Sequence, residues 1–547
     1  MAPAKKPSEV WKSLPWKKFQ RNVFRLQRRI YQARLRGDVR TVHNLQRLLL
    51  RSRSARFLAV RRVSQDNRGK RTPGVDGVAS LTPKLRLLYV HRLRNLDRAA
   101  DPVRRTYLQK PDRSGQRPLG IPTMIQRAYQ ALVKLALEPE WEAVFEPNSY
   151  GFRPGRSPHD AIEAVFNFIR LKPKYVLKAD IEKCFDKINH QALLDKLCTI
   201  QPIAKLVRGW LKAGIVEQGQ TLFPETGLAQ GGVISPLLMN VALHGLEEAV
   251  REPYPKGHKP AIIRFADDIA ILHHDLDTLH QIKEQAERWL GQMGLQLNPT
   301  KTRISHTLNE VQGQVGFDLL GFNIKQYHVG RYKTRTFRGQ AGFKTLITPS
   351  QEAQKRHLAH LKQVIRTYRG CSQAGLIGQL NPIIRGWANY YKTCVAKEIF
   401  NQMSTQLHYK LRRWAAFRHP RKWPSWCYRR YWQRIDGRIR FSDGHNYLFL
   451  YEDTKIRRHT KVIGSKSPFD GDWLYWAQRL QRDPLKPLRV VKLLKWQRGK
   501  CESCGLPFTS EDVLEVHHLN GNHSDNRYVN LSLLHGHCHD IAHGVRC

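Results

Sequence analysis

The chain has 547 residues and a mass of 63.6 kDa, with 93 Lys and Arg against 45 Asp and Glu, a formal net charge of +48. Self-repulsion on that scale is tolerable when a polyanion neutralises it, so nucleic acid is the expected partner, bound in a salt-dependent way. The apolar fraction of 41% excludes wholesale disorder, and no stretch approaches the roughly 18 uninterrupted apolar residues of a transmembrane helix.

At this length three or four domains are expected. Residues 11–62 are Arg-rich with interspersed apolar positions such as Phe24, Leu26, Ile30 and Tyr31, which predicts basic amphipathic helices. No apolar signal core follows Met1, so secretion is not expected. Pro73-Gly74-Val75-Asp76-Gly77 predicts a turn. In Gly151-Phe152-Arg153-Pro154-Gly155-Arg156, the arginines suit either a nucleic-acid backbone or the loop's own structure.

Tyr175–Asp180 reads as a short apolar strand ending in an acid. Ala261-Ile262-Ile263-Arg264-Phe265-Ala266-Asp267-Asp268-Ile269-Ala270-Ile271-Leu272 reads as a buried hairpin with two acids at its tip. Adjacent carboxylates are expensive to bury unless cations neutralise them. Hard oxygen ligands suit Mg2+, and two such ions serve in-line nucleotidyl transfer. Between these elements, Gly227–Asn240 is a glycine-containing loop opening an apolar helix. Lys301, in Asn298-Pro299-Thr300-Lys301, either assists pyrophosphate departure or is a plain surface lysine.

Residues 330–350 shift to Gly, Lys, Arg and Thr and read as a linker. Leu358, Leu361, Ile365 and Tyr368, then Leu376, Leu380, Ile383, Trp387 and Tyr391, recur at helical spacing and predict a bundle, despite Pro382. From Arg418 to Trp432 arginines interleave with Trp423, Trp426, Tyr431 and Trp432. Either phosphate contact with base stacking or a small aromatic core accounts for that pattern.

At the C-terminus, Cys501-Glu502-Ser503-Cys504 and His535-Gly536-His537-Cys538 pair ligands with two intervening residues, which fits a closed structural zinc site at Cys501, Cys504, His535 and Cys538. His539 and His543 are four apart, on one helix face, and can grip one metal.

Three groups of motifs carry a family resemblance. Asp180 with Phe185 five residues on, the Phe-Ala-Asp-Asp box at 265–268, and the intervening Gly227–Asn240 loop resemble reverse transcriptases. Lys110–Pro122 and Asn148–Ser157 resemble segments of the group II intron branch, and Arg385-Gly386-Trp387-Ala388-Asn389-Tyr390-Tyr391 resembles its maturase segment, domain X. His517-His518, Asn530, His539 and His543 resemble HNH endonucleases. Phe265 stands where Tyr is commoner in the family, a small departure.

The resemblance implies a multidomain α+β chain: a right-hand polymerase with fingers and palm, an α-helical thumb (domain X), a basic DNA-binding segment and a small zinc-containing ββα-metal HNH domain. The expected limits are 1–70 for a basic helical extension, 71–330 for fingers and palm, 345–420 for thumb, 421–490 for DNA binding and 495–547 for HNH. It assigns two Mg2+ to Asp180, Ile181, Asp267 and Asp268. Lys110 and Arg117 face the dNTP triphosphate, Phe185 excludes a ribose 2′-hydroxyl, and Gln230 touches base or sugar. In the HNH part, His517, His539 and His543 hold a divalent ion such as Mg2+, His518 is the general base, and Asn530 braces its loop, with Asn526 a weaker candidate for that bracing. The implied partners are group II intron RNA in a lariat ribonucleoprotein, target double-stranded DNA and dNTPs, with no membrane. The implied location is the cytoplasm or nucleoid of a bacterium, or an organelle. The expected function is intron splicing, target nicking and reverse transcription for retrohoming. The alternative is an RNA-binding splicing maturase with an inactive polymerase, against which the intact acid triad argues.

Overall fold

The computed structural model describes residues 6–109, 115–329, 342–509 and 512–543. The N-terminal region folds into helices Pro7–Lys12, Trp16–Leu35, Val39–Arg51 and Arg53–Arg61. Asp38 and Ser52 cap the last two by accepting from the Thr41 and Ala55 amides. Phe19, Val23, Ile30, Leu45 and Leu49 are buried, while Arg21, Arg25, Arg28 and Arg29 are exposed. The buried face packs on helix Met124–Glu142, where Gln46 Nε2 donates to Glu140 at 2.6 Å. The expected boundary at residue 70 is therefore not a packing boundary, because one apolar core runs from Trp11 to Leu297.

Strands β1 (Val103–Gln109) and β2 (Gln116–Ile121) form an antiparallel hairpin in the region expected to be the fingers. They share a four-stranded sheet, ordered β2-β1-β4-β5, with β4 (Ile215–Glu217) and β5 (Gln220–Leu222). A second four-stranded sheet, in the region expected to be the palm, is ordered β6-β7-β3-β8, from β3 (Tyr175–Asp180), β6 (Ala261–Phe265), β7 (Asp268–His273) and β8 (Arg303–His306). Its pairings are antiparallel. Helix Pro158–Ile169 packs against β6 and helix Leu276–Gly291 against β3 and β7. Cover on both faces explains why β7 reads as a continuous apolar run instead of alternating.

The three-stranded sheet β11-β10-β9 follows, from β9 (Phe317–Leu319), β10 (Phe322–His328) and β11 (Phe343–Pro349). This corrects the linker reading for residues 343–349, while residues 330–341 lie outside the described residues. Residues 343–349 pair along the whole of β10, because Leu346 and Ile347 supply apolar side chains between polar neighbours. Leu320 and Gly321 take positive φ (+51° and +81°) in the β9–β10 turn. A Cβ at Gly321 would meet the Tyr391 hydroxyl at 2.7 Å.

Helices Gln351–Thr367, Gln373–Tyr391 and Lys397–Arg418 form the expected bundle around Leu361, Leu380, Ile384, Leu407 and Leu411. The middle helix continues through Pro382. Trp387 stacks on His357 with centroids 4.8 Å apart, so the bundle core engages this ring. Tyr390 and Tyr391 hydroxyls donate to the Leu320 and Gly321 carbonyls, anchoring bundle to palm.

Helix Pro424–Tyr431 and the hairpin of β12 (Trp432–Ile435) and β13 (Arg438–Phe441) divide the Arg/Trp run into a buried and an exposed part. Tyr431, Trp432 and Phe441 are buried beside Trp414, whereas Trp423 is 80% exposed and Arg421, Arg429 and Arg430 face out. Helices Trp473–Gln481 and Leu488–Trp496 lead to β14 (Leu514–His518), β15 (Leu531–His535) and helix Gly536–Ala542. Two long-range clasps tie this end to the rest. Asp160, wholly buried, accepts from His459 Nε2 at 3.0 Å, from Arg479 and from the Val462 amide. Arg61 donates to Asp540 at 2.9 Å. Among the described residues no helix is long and apolar enough to cross a membrane.

Candidate functional site

The palm site is built by strand register. Asp180, last in β3, pairs directly with Asp268, first in β7, and Phe265 pairs with Asp268 across the Ala266-Asp267 turn. Ala266 takes φ +59° to make that turn. The turn is propped from behind. Asn148–Tyr150 bonds to the edge of β6 through Tyr150 N to Arg264 O and Arg264 N to Asn148 O. A Cβ on Gly151 would collide with the Ala266 amide nitrogen and lie 2.9 Å from the Phe265 carbonyl carbon. Only glycine permits that approach.

Burial pushes the carboxyls of Asp267 and Asp268 up, Asp268 to about 6, and the neighbouring acids add to it. Lys178 and Lys301 partly offset this at Asp268. Lys301 Nζ lies 2.8 Å from Asp180, which holds the ammonium charged. Asp267 and Asp268, whose ionised forms are short of cations, stand beside Asp180, and such a group of carboxylates suits divalent ions. Ile181 has a buried side chain with no donor atom, so any share it takes in the metal site is through its backbone carbonyl.

Arg117 is exposed on β2, and its charge reaches Asp267, as expected of a group facing the same space. Lys110 lies outside the described residues. Phe185 sits five residues past Asp180, edge-on to Phe152 at 6.5 Å. Gly227, at φ +91°, presses on the backbone of Phe185 and Asp186, where a Cβ would lie 2.8 and 2.6 Å from their carbonyl oxygens. Gln230 is half-buried, and its carbonyl accepts from the Gly120 amide at 2.7 Å, joining this loop to the fingers.

Of the two readings open for Arg153 and Arg156, their partners favour the loop's own structure. Arg153 is buried, forked onto both Glu142 oxygens at 2.8 and 3.0 Å. Arg156 donates to the Pro147, Gly464 and Lys466 carbonyls. Sequence spacing carried no sign of these partners, because Glu142 sits in a separate helix and residues 464–466 lie some 310 positions away.

Two metal-sized clusters of His and Cys occur among the described residues, both near the C-terminus. Cys501, Cys504, His535 and Cys538 are buried with their donor atoms within 4.8 Å of one another. His535 turns Nδ1 to Cys504 Sγ at 3.3 Å and Nε2 to Asp512 at 3.4 Å. A carboxylate behind a histidine fixes its ring for metal binding, so the set fits zinc.

The second cluster joins β14 to the last helix. His517 Nδ1 and His539 Nε2 each lie 3.0 Å from His543 Nε2. Glu515 stands 2.6 Å behind His539 Nδ1. Nitrogens converging from three rings, one backed by a carboxylate, suit a divalent cation. Beside them His518 is buried with neither ring nitrogen bonded. Asn530 holds the next loop at both ends of its amide, accepting from the Asn520 amide and donating to the Asp525 carbonyl. Asn526 only reaches Ser524 from an exposed position. Asp512 and Glu515 were missed from sequence. The signal was there in Glu515, two residues before His517 and so on the same face of the strand.

The matching family models are reverse transcriptase (RNA-dependent DNA polymerase) over residues 108–324, the N-terminal domain of reverse transcriptase over 11–93, and the group II intron maturase-specific domain over 354–432. The chain is similar to protein YkfC of Escherichia coli K12, 32% identical over 324 residues that cover 51% of this chain and 83% of that one. It is similar to the group II intron-encoded protein LtrA of Lactococcus lactis, 34% identical over 187 residues, 34% of this chain and 31% of LtrA. Maturase-like protein 1 of Euglena gracilis is 26% identical over 398 residues, 69% of this chain and 76% of that protein. The match to LtrA thus spans less than a third of its length, while the match to YkfC spans most of it. The chain belongs to the reverse transcriptase family, with a group II intron maturase-specific domain behind the polymerase.

Proposed function

We propose that the protein is a group II intron-encoded reverse transcriptase and maturase whose C-terminal module nicks DNA, so that one chain supplies both the primer end and its extension for retrohoming. The observation that carries the reading is the coexistence of the three-acid palm site with a trihistidine cluster beside an unpaired, buried His518. The intron RNA, the duplex DNA target and dNTPs are its partners, and the maturase domain assists splicing.

In the palm, divalent ions supply charge neutralisation at the attacked α-phosphate and the leaving pyrophosphate. Asp180, Asp267 and Asp268 hold them, with Ile181 contributing its carbonyl. Arg117 orients the triphosphate, joined by Lys110. Phe185 blocks a ribose 2′-hydroxyl, Gln230 borders the base and sugar, and Lys301 offers positive charge to the departing pyrophosphate. In the C-terminal module a divalent ion would offset charge on the leaving 3′ oxygen, and three imidazoles suit a transition-metal ion better than Mg2+, which favours oxygen ligands. His517, His539 and His543 hold it. A ring nitrogen of His518 takes the proton of the attacking water, and Asn530 fixes the loop after it. The four-ligand zinc set secures the module's fold.

Primer extension on an RNA template and nicking of a duplex carrying the target site test the two halves. Asp267→Ala should abolish extension and leave nicking, and His518→Ala should do the reverse. Extension by Asp267→Ala at parental rate would sink the palm assignment, and nicking by His518→Ala would sink the nuclease assignment.

A further inference from the structure

Phe152 has φ +58°, in the left-handed region that bulky residues rarely occupy, yet its ring is 51% exposed. The residues on either side hold it there. Gly151 is pressed against the catalytic turn, and Arg153 is locked on Glu142. Strain retained on an exposed aromatic ring points to use by a ligand. The ring stands edge-on to Phe185, the side chain proposed to border the nucleotide sugar.

From Phe152 a cleft runs between the loop 152–157 and the segment 457–485, and reaches Phe508 and Thr509 of the C-terminal module. Arg457, Arg458 and Arg482 are exposed along it, and Lys461 is half-buried. Burial, and next the charge of Arg156, pushes the Lys461 ammonium down, a sign of crowded cations. Of the acids that face Lys461, Asp160 is already taken by His459 and Arg479, and Glu163 is shared between Arg458, His459 and Lys461. Asp483 is the acid of the lining, and it caps the Leu485 amide. Cations along a groove with aromatic faces suit a phosphate backbone and unpaired, stackable bases.

We propose that this cleft binds a single-stranded polynucleotide and guides it between the C-terminal metal module and the nucleotide end of the palm. The inference deepens the proposed function, but strand binding does not depend on the module cutting.

The test uses the full-length protein with fluorescent dT and rU oligomers of about 20 nucleotides, titrated at several salt concentrations. Arg458→Glu with Lys461→Glu should weaken binding about tenfold or more and make the salt dependence shallower by about two released ions. Lys256→Glu with Lys259→Glu, on an exposed loop outside the cleft, makes the same charge change. Its loss should stay under about threefold. Phe152→Ala should weaken binding by about fivefold or more, even at high salt, where stacking persists. A greater loss with dT identifies the strand as DNA, and a greater loss with rU as RNA. Equal losses from the two charge-reversed pairs, or parental binding by Phe152→Ala, would overturn the proposal. His518→Ala titrated alongside separates the ideas: failure of nicking with cleft binding intact counts against the nuclease alone.

Discussion

Lys301 reaches back 121 positions to place its ammonium 2.8 Å from Asp180, so the acid that closes β3 is partnered by a residue beyond the last palm helix. The same charge lowers the carboxyl pKa of both Asp267 and Asp268. Metal binding needs these carboxyls ionised. The acid limb of the pH–rate profile for primer extension should therefore rise near pH 6, where Asp268 titrates, and Lys301→Met should move it to higher pH. An unmoved limb would show that Lys301 serves only as a surface charge.

Asp268 also has a signature in stability. The Asp268 carboxyl titrates at about 6 in the folded chain against an ordinary 3.8, so its protonated form favours folding. That contribution is complete below the unfolded value and is lost as pH rises through the folded one. Asp268→Asn should thus stabilise the metal-free protein by about 1–3 kcal/mol at pH 7, fading below pH 4. Denaturant melts in chelator at both pH values decide it.

Gly151→Ala should cost catalysis more than it costs the fold. The added methyl group meets the backbone of the catalytic turn, so the turn and the loop behind it must shift apart. A fall in kcat of about tenfold or more with near-parental KM for dNTP is expected, since displacement of catalytic groups by about 1 Å is that costly.

Arg153→Met leaves Glu142 buried without its partner. A loss of about 3–5 kcal/mol in stability is expected, read by thermal melting. A residue that merely touched a template would instead lower primer–template affinity and leave the melting temperature alone.

Chelation should unfold the C-terminal module while the polymerase stays folded, because Cys501, Cys504, His535 and Cys538 anchor a small core around Phe508, Leu531 and Leu533. Metal analysis should find one zinc per chain, lost in Cys504→Ser. Protease sensitivity confined to residues beyond about 495 is the matching readout.

The acids, both metal clusters and the bundle helices were legible because each is written locally. Apolar runs end in acids at 180 and 267, ligand pairs repeat at fixed spacing, and Leu361, Leu380 and Tyr391 keep helical period. What escaped was set by contacts across the chain. Strand β11 sits in a stretch of linker-like composition, and only β10 gives it a ladder to join. Arg153 and Arg156 look like any basic loop until Glu142 and the carbonyls near 465 arrive. Residues 1–70 read as an appendage because their apolar positions are sparse, yet those positions meet the Met124–Glu142 helix and vanish into it.

The clasp at Asp160 bears on how the protein can be dissected. Its partners His459, Val462 and Arg479 all lie after the maturase-specific domain. A chain shortened to the polymerase and thumb would strip these partners from the carboxylate and open its cover, leaving it only the Ser157 amide and hydroxyl at the start of its own helix. Polymerase and tail are thus not interchangeable modules.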